Sequence, residues 1–161
     1  MKDIRAIVPA AGKGSRLQKI SGNLAKAMFS VGNRPMLEYV LENLSFIDNK
    51  EIYIVVGYGK EQILEHFGDR YCYVEQKQQL GTGHAVMECA DAFADFDGSV
   101  LITFGDMPLF RREEMEAMCR QHAENGADCT LMTAENPALK LWARVIRDKN
   151  GRFLMSLHLK K

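Results

Sequence analysis

An α/β fold, a mostly parallel sheet covered by helices on both faces, is what this sequence predicts. Three observations carry the prediction. Short runs rich in β-branched and aromatic residues alternate with segments whose apolar residues recur at helical spacing. Several runs end at a glycine turn, as at Gly12, Gly57 and Gly105. The strands and helices follow one another at the spacing of strand, crossover helix and parallel strand, which places ligands at the carboxyl ends of the strands.

The elements follow in order. Residues 3–8 have the composition of a buried strand and run into Pro9-Ala10-Ala11-Gly12-Lys13-Gly14. Residues 18–23 are polar and form an open loop up to Leu24. Residues 31–35 read as a turn, with Pro35 suited to the first turn of a helix over residues 36–44. On that helix Met36, Tyr39 or Val40, and Asn43-Leu44 recur at helical spacing, so one face is expected to pack on the sheet. Residues 51–56 are a second strand, ended by Gly57-Tyr58-Gly59, and a helix spans residue 60 to about residue 67. Residues 71–74 are a third strand leading into the polar segment 75–79. Leu80-Gly81-Thr82-Gly83-His84 then opens a helix over residues 84–93. Residues 100–104 are a fourth strand, broken by Gly105-Asp106-Met107-Pro108. A long helix spans residues 111–125, with Glu113 and Glu114 complementing its dipole. Residues 129–133 read as a fifth strand. Residues 142–146 and 152–157 read as two more, joined by Asp148-Lys149-Asn150-Gly151, whose Asn-Gly is a hairpin signal.

At 161 residues the chain is expected to form a single domain, 1–161, large enough to bury roughly 68–70% of its unfolded surface. Lys+Arg and Asp+Glu are equal at 21 each, which argues against general attraction to nucleic acid or anionic lipid, so anion binding must be local. No apolar run approaches the ~18–20 residues of a membrane span. Met1-Lys2-Asp3 leads into a strand without a signal peptide, so the cytoplasm is the expected compartment. Cys72, Cys89, Cys119 and Cys129 are too widely spaced for a zinc site and read as free thiols.

The chemistry is concentrated in the loops. Gly12 and Gly14 let the main chain turn with bare N–H groups, and Lys13 and Arg16 add positive charge, which suits a triphosphate or pyrophosphate. The loop is not a Walker A motif, because Gly12-Lys13-Gly14-Ser15 follows Val-Pro-Ala-Ala. Nor is it a dinucleotide fingerprint, because Leu17 stands where the third glycine belongs. An ordinary strand-to-helix turn remains the alternative. Lys26 interrupts the apolar run 25–29 and reads either as solvated or as a charge aimed into a cleft. Asp106 leaves the end of a very apolar strand between a glycine and a turn, where a carboxylate can share Mg²⁺ with phosphate oxygens. The competing reading is a turn aspartate bonded to its own backbone.

Taken together, the run 9–17, Lys26, Gln76, Gln79-Leu-Gly-Thr-Gly-His-Ala85 and Phe104-Gly-Asp-Met-Pro-Leu109 resemble the sugar-1-phosphate nucleotidyltransferases. The likeness is greatest to the uridylyltransferase (pyrophosphorylase) domain of bacterial N-acetylglucosamine-1-phosphate uridylyltransferases, and it extends from about Arg5 to Lys161. It implies a three-layer α/β/α fold with a Rossmann-like sheet, the nucleotide-diphospho-sugar transferase fold, here truncated after a C-terminal hairpin. It also implies attack of a sugar-phosphate oxygen on the α-phosphorus of UTP, with N-acetylglucosamine 1-phosphate as acceptor, Mg²⁺ as cofactor and pyrophosphate leaving. The product would be a nucleotide sugar for cell-wall synthesis.

By the same resemblance Pro9, Ala10, Ala11, Gly12 and Gly14 contact the nucleotide. Arg16 stabilises the leaving pyrophosphate, Lys26 binds phosphate at the reacting centre, and Asp106 holds Mg²⁺. Gln76, Gly81 and Thr82 hydrogen-bond the base, and Phe104 and Gly105 border the ribose. His84 is read as a helix-start residue rather than a catalytic one.

The sequence departs from the family at several places. Pro9 replaces a leucine and Ala25 a proline. Leu141-Trp142-Ala143-Arg144 stands for Gly-Tyr-Gly-Arg, and His158 stands at a sugar-binding glutamate. Family domains also continue beyond this point with further sugar ligands. The nucleotide half of the site is therefore expected intact and the sugar half altered. Two alternatives follow: a Mg²⁺-dependent nucleotide-binding module without turnover, and a cytidylyltransferase acting on another phosphate acceptor. A truncated sheet edge makes self-association a further expectation.

Overall fold

Strand β1 (Ile4–Pro9) runs between two parallel neighbours in the computed structural model of the chain, which describes residues 3–14, 22–134 and 144–157. On one side lies β4 (Ile52–Val56), with Ala6 opposite Ile52 and Pro9 opposite Val55. On the other lies β6 (Ser99–Ile102), with Ile4 opposite Ser99 and Ile7 opposite Ile102. β5 (Cys72–Glu75) pairs in parallel with β4, giving the order β5-β4-β1-β6. Ala6, Ile7 and Val8 are all buried, as a strand covered on both faces requires.

Alternation along the strands sorts side chains to two cores. Ala6, Val8, Ile52, Ile54, Val56 and Leu101 face one layer. They meet Leu37, Val40 and Leu41 of α1 (Met36–Asn43), Ile63 and Phe67 of α2 (Lys60–Phe67), and Met115 of α4 (Arg112–Glu124). Ile7 and Val55 face the other way, where Ala85 of α3 (Thr82–Met87) and Cys89 cover them. Each fully buried Leu, Ile, Val or Phe side chain contributes about 1.5–3 kcal/mol. The second layer is thinner over β6, where Val100 and Ile102 stay 42% and 44% exposed.

The chain moves outward from β1 through β4 to β5, then returns past β1 to β6. Right-handed crossovers then require α1 and α2 on one face and α3 on the other, which is the arrangement found. Strand order reverses between β1 and β6. Outside the carboxyl ends of these two strands is the crevice where such sheets bind ligands.

Three details differ from the sequence reading. Residues 30–35 form a small antiparallel hairpin, β2 (Ser30–Val31) with β3 (Arg34–Pro35), rather than a turn alone. Gly32 at φ 58° and Asn33 at φ 72° supply the two left-handed positions of a tight hairpin turn, and Pro35 caps α1 instead of entering it. The helix expected over residues 84–93 is instead α3, starting at Thr82, followed by a 3₁₀ turn at Asp91–Phe93. Residues 129–133 do not form the expected fifth strand. Leu131 and Met132 are 54% and 42% exposed, so their β-propensity finds no half-buried surface to express it.

Contacts divide the chain between Ala127 and Asp128 into two compact units. In the second, β7 (Arg144–Arg147) pairs antiparallel with β8 (Phe153–Leu157). Their turn is closed by the Gly151 N–H on Asp148 O at 3.0 Å, with Gly151 at φ 79°. Asp148 Oδ1 accepts from the Asn150 and Arg152 amides at 2.8 and 2.9 Å, fixing the loop.

Candidate active site

The crevice beyond β1 and β6 contains an open cleft of about 240 Å³. One wall is the segment that continues β1. The Ala10 N–H donates to Val55 O at 2.8 Å, one step past the end of β1, and Ala10 and Ala11 are buried against the sheet. The Tyr58 N–H donates to Ala11 O at 3.2 Å and ties in the turn after β4. Gly57 is needed there, because a Cβ would stand 2.8 Å from Ala11 Cβ and 3.2 Å from its carbonyl oxygen. Lys13 Nζ lies 5.2 Å from the centroid of the Tyr58 ring, which keeps a cation near the glycine loop.

Lys26 opens a 3₁₀ turn, Lys26–Met28, and its two neighbours in the chain, Ala25 and Ala27, are buried. Gln62 clamps this segment from α2: its Oε1 accepts from the Ala25 N–H at 2.9 Å and its Nε2 donates to Asn23 O at 3.0 Å. Ala25 has φ −61°, ψ 139°, close to what a proline would impose, so a hydrogen bond here maintains a conformation that a ring could also fix. The Lys26 side chain reaches Asp106 and forms an ion pair with its carboxylate.

Asp106 is delivered by the other wall. The Thr103 N–H donates to Ile7 O at 3.2 Å and the Gly105 N–H to Pro9 O at 3.1 Å, continuing the β1–β6 pairing past β6. Gly105 is wedged so closely that a Cβ would lie 3.1 Å from Ala10 Cβ and 3.2 Å from Leu37 Cδ1. Phe104 and Asp106 line the cleft on either side of it.

The third wall comes from the end of β5 and the start of α3. Gln76 is 3% exposed, and its Nε2 donates to Gly81 O at 3.1 Å and lies 3.0 Å from His84 Nδ1. Gly81 has φ 112°, ψ 177°, a conformation that favours glycine, and caps α3. Next to Gln76, Lys60 donates to Glu75 at 2.8 Å and holds that carboxyl below its usual range. Beneath α3, burial pushes the Cys89 thiol up to about 11.

Of the residues singled out from sequence, Pro9, Ala10, Ala11, Gly12, Lys26, Gln76, Gly81, Thr82, Phe104 and Asp106 come together around this one cleft. Gly14 and Gly105 stand behind it. Gly14, at φ 65°, sits where a Cβ would be 2.9 Å from Lys26 Cβ, so it leaves room for the lysine stem. Arg16, Trp142, Ala143 and His158 lie outside the described residues. Gln79, Ala27 and Ala85 also line the cleft, though the sequence assigns none of them a role of its own. Gln79 and Ala85 carried a signal as the two ends of the Gln-Leu-Gly-Thr-Gly-His-Ala run, and Ala27 carried none.

The model of the MobA-like NTP transferase domain matches residues 6–155. The chain belongs to this nucleotidyltransferase family. It is 38% identical to the bifunctional protein GlmU of Acholeplasma laidlawii over 146 residues, covering 91% of this chain and 31% of that protein. The GlmU of Symbiobacterium thermophilum is 38% identical over 162 aligned positions, 99% of this chain and 34% of that protein. That of Staphylococcus carnosus is 35% identical over 147 residues, 91% and 32%. The chain thus spans about a third of the length of these relatives, and over that third it is GlmU-like, as its motifs implied. No helix among the described residues is long and apolar enough to cross a membrane.

Proposed function

We propose that this chain carries the nucleotide-binding and reacting part of a sugar-1-phosphate uridylyltransferase, both units belonging to one catalytic domain. The observation that supports this best is the ion pair of Lys26 and Asp106 at the cleft where β1 and β6 diverge. A cation for phosphate and a carboxylate for a metal stand together there, beside a loop of small residues.

In the proposed reaction a phosphate oxygen of N-acetylglucosamine 1-phosphate attacks the α-phosphorus of UTP, and pyrophosphate leaves. Such a displacement needs positioning and charge neutralisation rather than covalent help. Ala10 to Gly12 form a floor without bulk on which a nucleotide can lie. Gln76, Gly81 and Thr82 take the base, and Phe104 borders the ribose, with Gly105 behind it letting the two walls approach. Lys26 turns from Asp106 to the reacting phosphate, and Arg16 meets the leaving pyrophosphate.

Among the described residues no three potential ligands cluster to hold a metal by themselves. The donor at the cleft is a hard carboxylate oxygen, Asp106, which fits Mg²⁺ carried largely by substrate phosphates. When bound, Mg²⁺ supplies charge neutralisation on those oxygens. The setting for this chemistry is the cytoplasm, where both substrates would be found.

The test is pyrophosphate release by the chain from each of the four nucleoside triphosphates against a panel of sugar 1-phosphates with Mg²⁺. Release with UTP and N-acetylglucosamine 1-phosphate above the other pairs is expected. Release with CTP and a different acceptor would overturn the substrate assignment, and binding without release would leave a nucleotide-binding module.

A further inference from the structure

Gln76 borders the cleft, yet both protons of its side-chain amide are already committed. One goes to the Gly81 carbonyl at 3.1 Å, and the other faces His84 Nδ1 at 3.0 Å. A carbonyl can only accept, so Gly81 determines which end of the Gln76 amide is nitrogen. His84 Nδ1 must then be the bare, accepting nitrogen, and the imidazole proton sits on Nε2. That atom lies 3.3 Å from Glu88 Oε1, one turn along the same helical segment. Gln76 thus donates to His84, and the Glu88 carboxylate stands beside the ring nitrogen that carries the proton.

What remains for a ligand is Gln76 Oε1, an acceptor. No donor among the described residues reaches it, and no buried side-chain oxygen or nitrogen among them lacks a partner. Oε1 is therefore open to the cleft that Gln76 lines.

We propose that His84, oriented by Glu88, is a positioning residue that locks the Gln76 amide with its oxygen toward the base, so that the site selects bases whose ring nitrogen carries a hydrogen. This rests on reading the cleft as a nucleotide site. Uracil presents N3–H and guanine N1–H, whereas cytosine N3 and adenine N1 are bare acceptors. A bare nitrogen opposite Oε1 places two lone pairs face to face. Turning the amide over would relieve that clash, but it would set Oε1 against the Gly81 carbonyl and give up the bond to His84. The site thus rejects cytosine by leaving polar groups unpaired as well as by failing to bond it.

The experiment is calorimetric titration of UTP and CTP, each with Mg²⁺, into the wild-type chain, His84→Leu and His84→Asn. Wild type should prefer UTP by about tenfold or more. His84→Leu removes one of the two acceptors that hold the nitrogen end of the amide, leaving only the Gly81 carbonyl to oppose its turning, and should shrink the preference to about threefold or less. His84→Asn keeps an acceptor near the place of Nδ1 and should retain most of it. An unchanged preference in His84→Leu, with normal UTP affinity, would overturn the lock while leaving the nucleotide site standing. Failure of wild type to bind either nucleotide would overturn both. Should His84→Leu not melt cooperatively, ¹⁵N spectra of wild-type His84 decide: a proton on Nε2 is expected, and a proton on Nδ1 would contradict the proposal.

Discussion

Lys26 and Asp106, 80 residues apart in sequence, form an ion pair within one cleft, each side chain part exposed at 39% and 30%. Exposed pairs of this kind contribute about 0–1 kcal/mol to folding. If the two residues are instead there for phosphate and metal, their removal should be felt in the reaction. Lys26→Ala should leave the melting temperature nearly unchanged and cost about 2–4 kcal/mol of transition-state stabilisation. Thermal melts beside pyrophosphate-release rates test this. A large loss of stability at an unchanged rate would show that the pair is structural.

Two glycines of the site should respond in opposite ways. Gly57→Ala places a methyl 2.8 Å from Ala11 Cβ and 3.0 Å from Gln79 Nε2, so it should destabilise the fold by about 1–3 kcal/mol. Gly12→Ala meets nothing within 4 Å and lies on the cleft wall, so it should fold normally and bind nucleotide more weakly. Denaturant melts and nucleotide titrations of both variants would separate the effects. Equal destabilisation by the two would contradict the packing argument.

The clamp of Gln62 on Ala25 predicts a coupling. Ala25→Pro matches the backbone angle but loses the N–H that Gln62 accepts, so the gain in chain stiffness and the lost bond should nearly cancel. Gln62→Ala should cost about 0.5–1.5 kcal/mol in wild type and clearly less once position 25 is proline. A double-mutant cycle by denaturant melts reads the difference, and strict additivity would show that the bond carries no stability.

Cys89 gives a pH dependence with a definite sign. Its folded-state value of about 11 lies above that of a free thiol, so between pH 9 and 11 the native state holds the proton that the unfolded state has lost. Stability from this residue is whole below that window and lost as pH rises through it. The gap in melting temperature between wild type and Cys89→Ala should therefore narrow from pH 8 to pH 11. A constant gap would mean that the thiol titrates normally despite its burial.

The strand and helix order was legible because apolar residues recur at clear periods, as Ala6 and Val8 do against Ile7 on a strand. On the helix over 36–44 the sequence points to a packed face of Met36, Tyr39 or Val40, and Asn43-Leu44, whereas the stripe in the core is Leu37, Val40, Leu41 and Leu44. Turn chemistry marked the loops after β1, β4 and β6. What did not show was anything set by contact between distant segments. Residues 129–133 look like a strand by composition, but a strand exists only where a partner buries it. The ties that position Lys26 are of the same kind: Gln62 is ordinary until the chain folds it against residue 25, and Gly14 shows in the sequence as a loop glycine, while its packing on the Lys26 stem arises only in the fold. His84 read as a helix-start residue because its partner Gln76 lies across a loop, where no periodicity links them.

The most direct test of the account is calorimetric titration of UTP into the chain with and without Mg²⁺, in wild type and in Asp106→Asn. Wild type should bind more tightly with Mg²⁺, and Asp106→Asn should lose most of that difference while melting normally. Equal Mg²⁺ enhancement in both proteins, or no UTP binding by wild type, would contradict the assignment of this cleft as a metal-assisted nucleotide site.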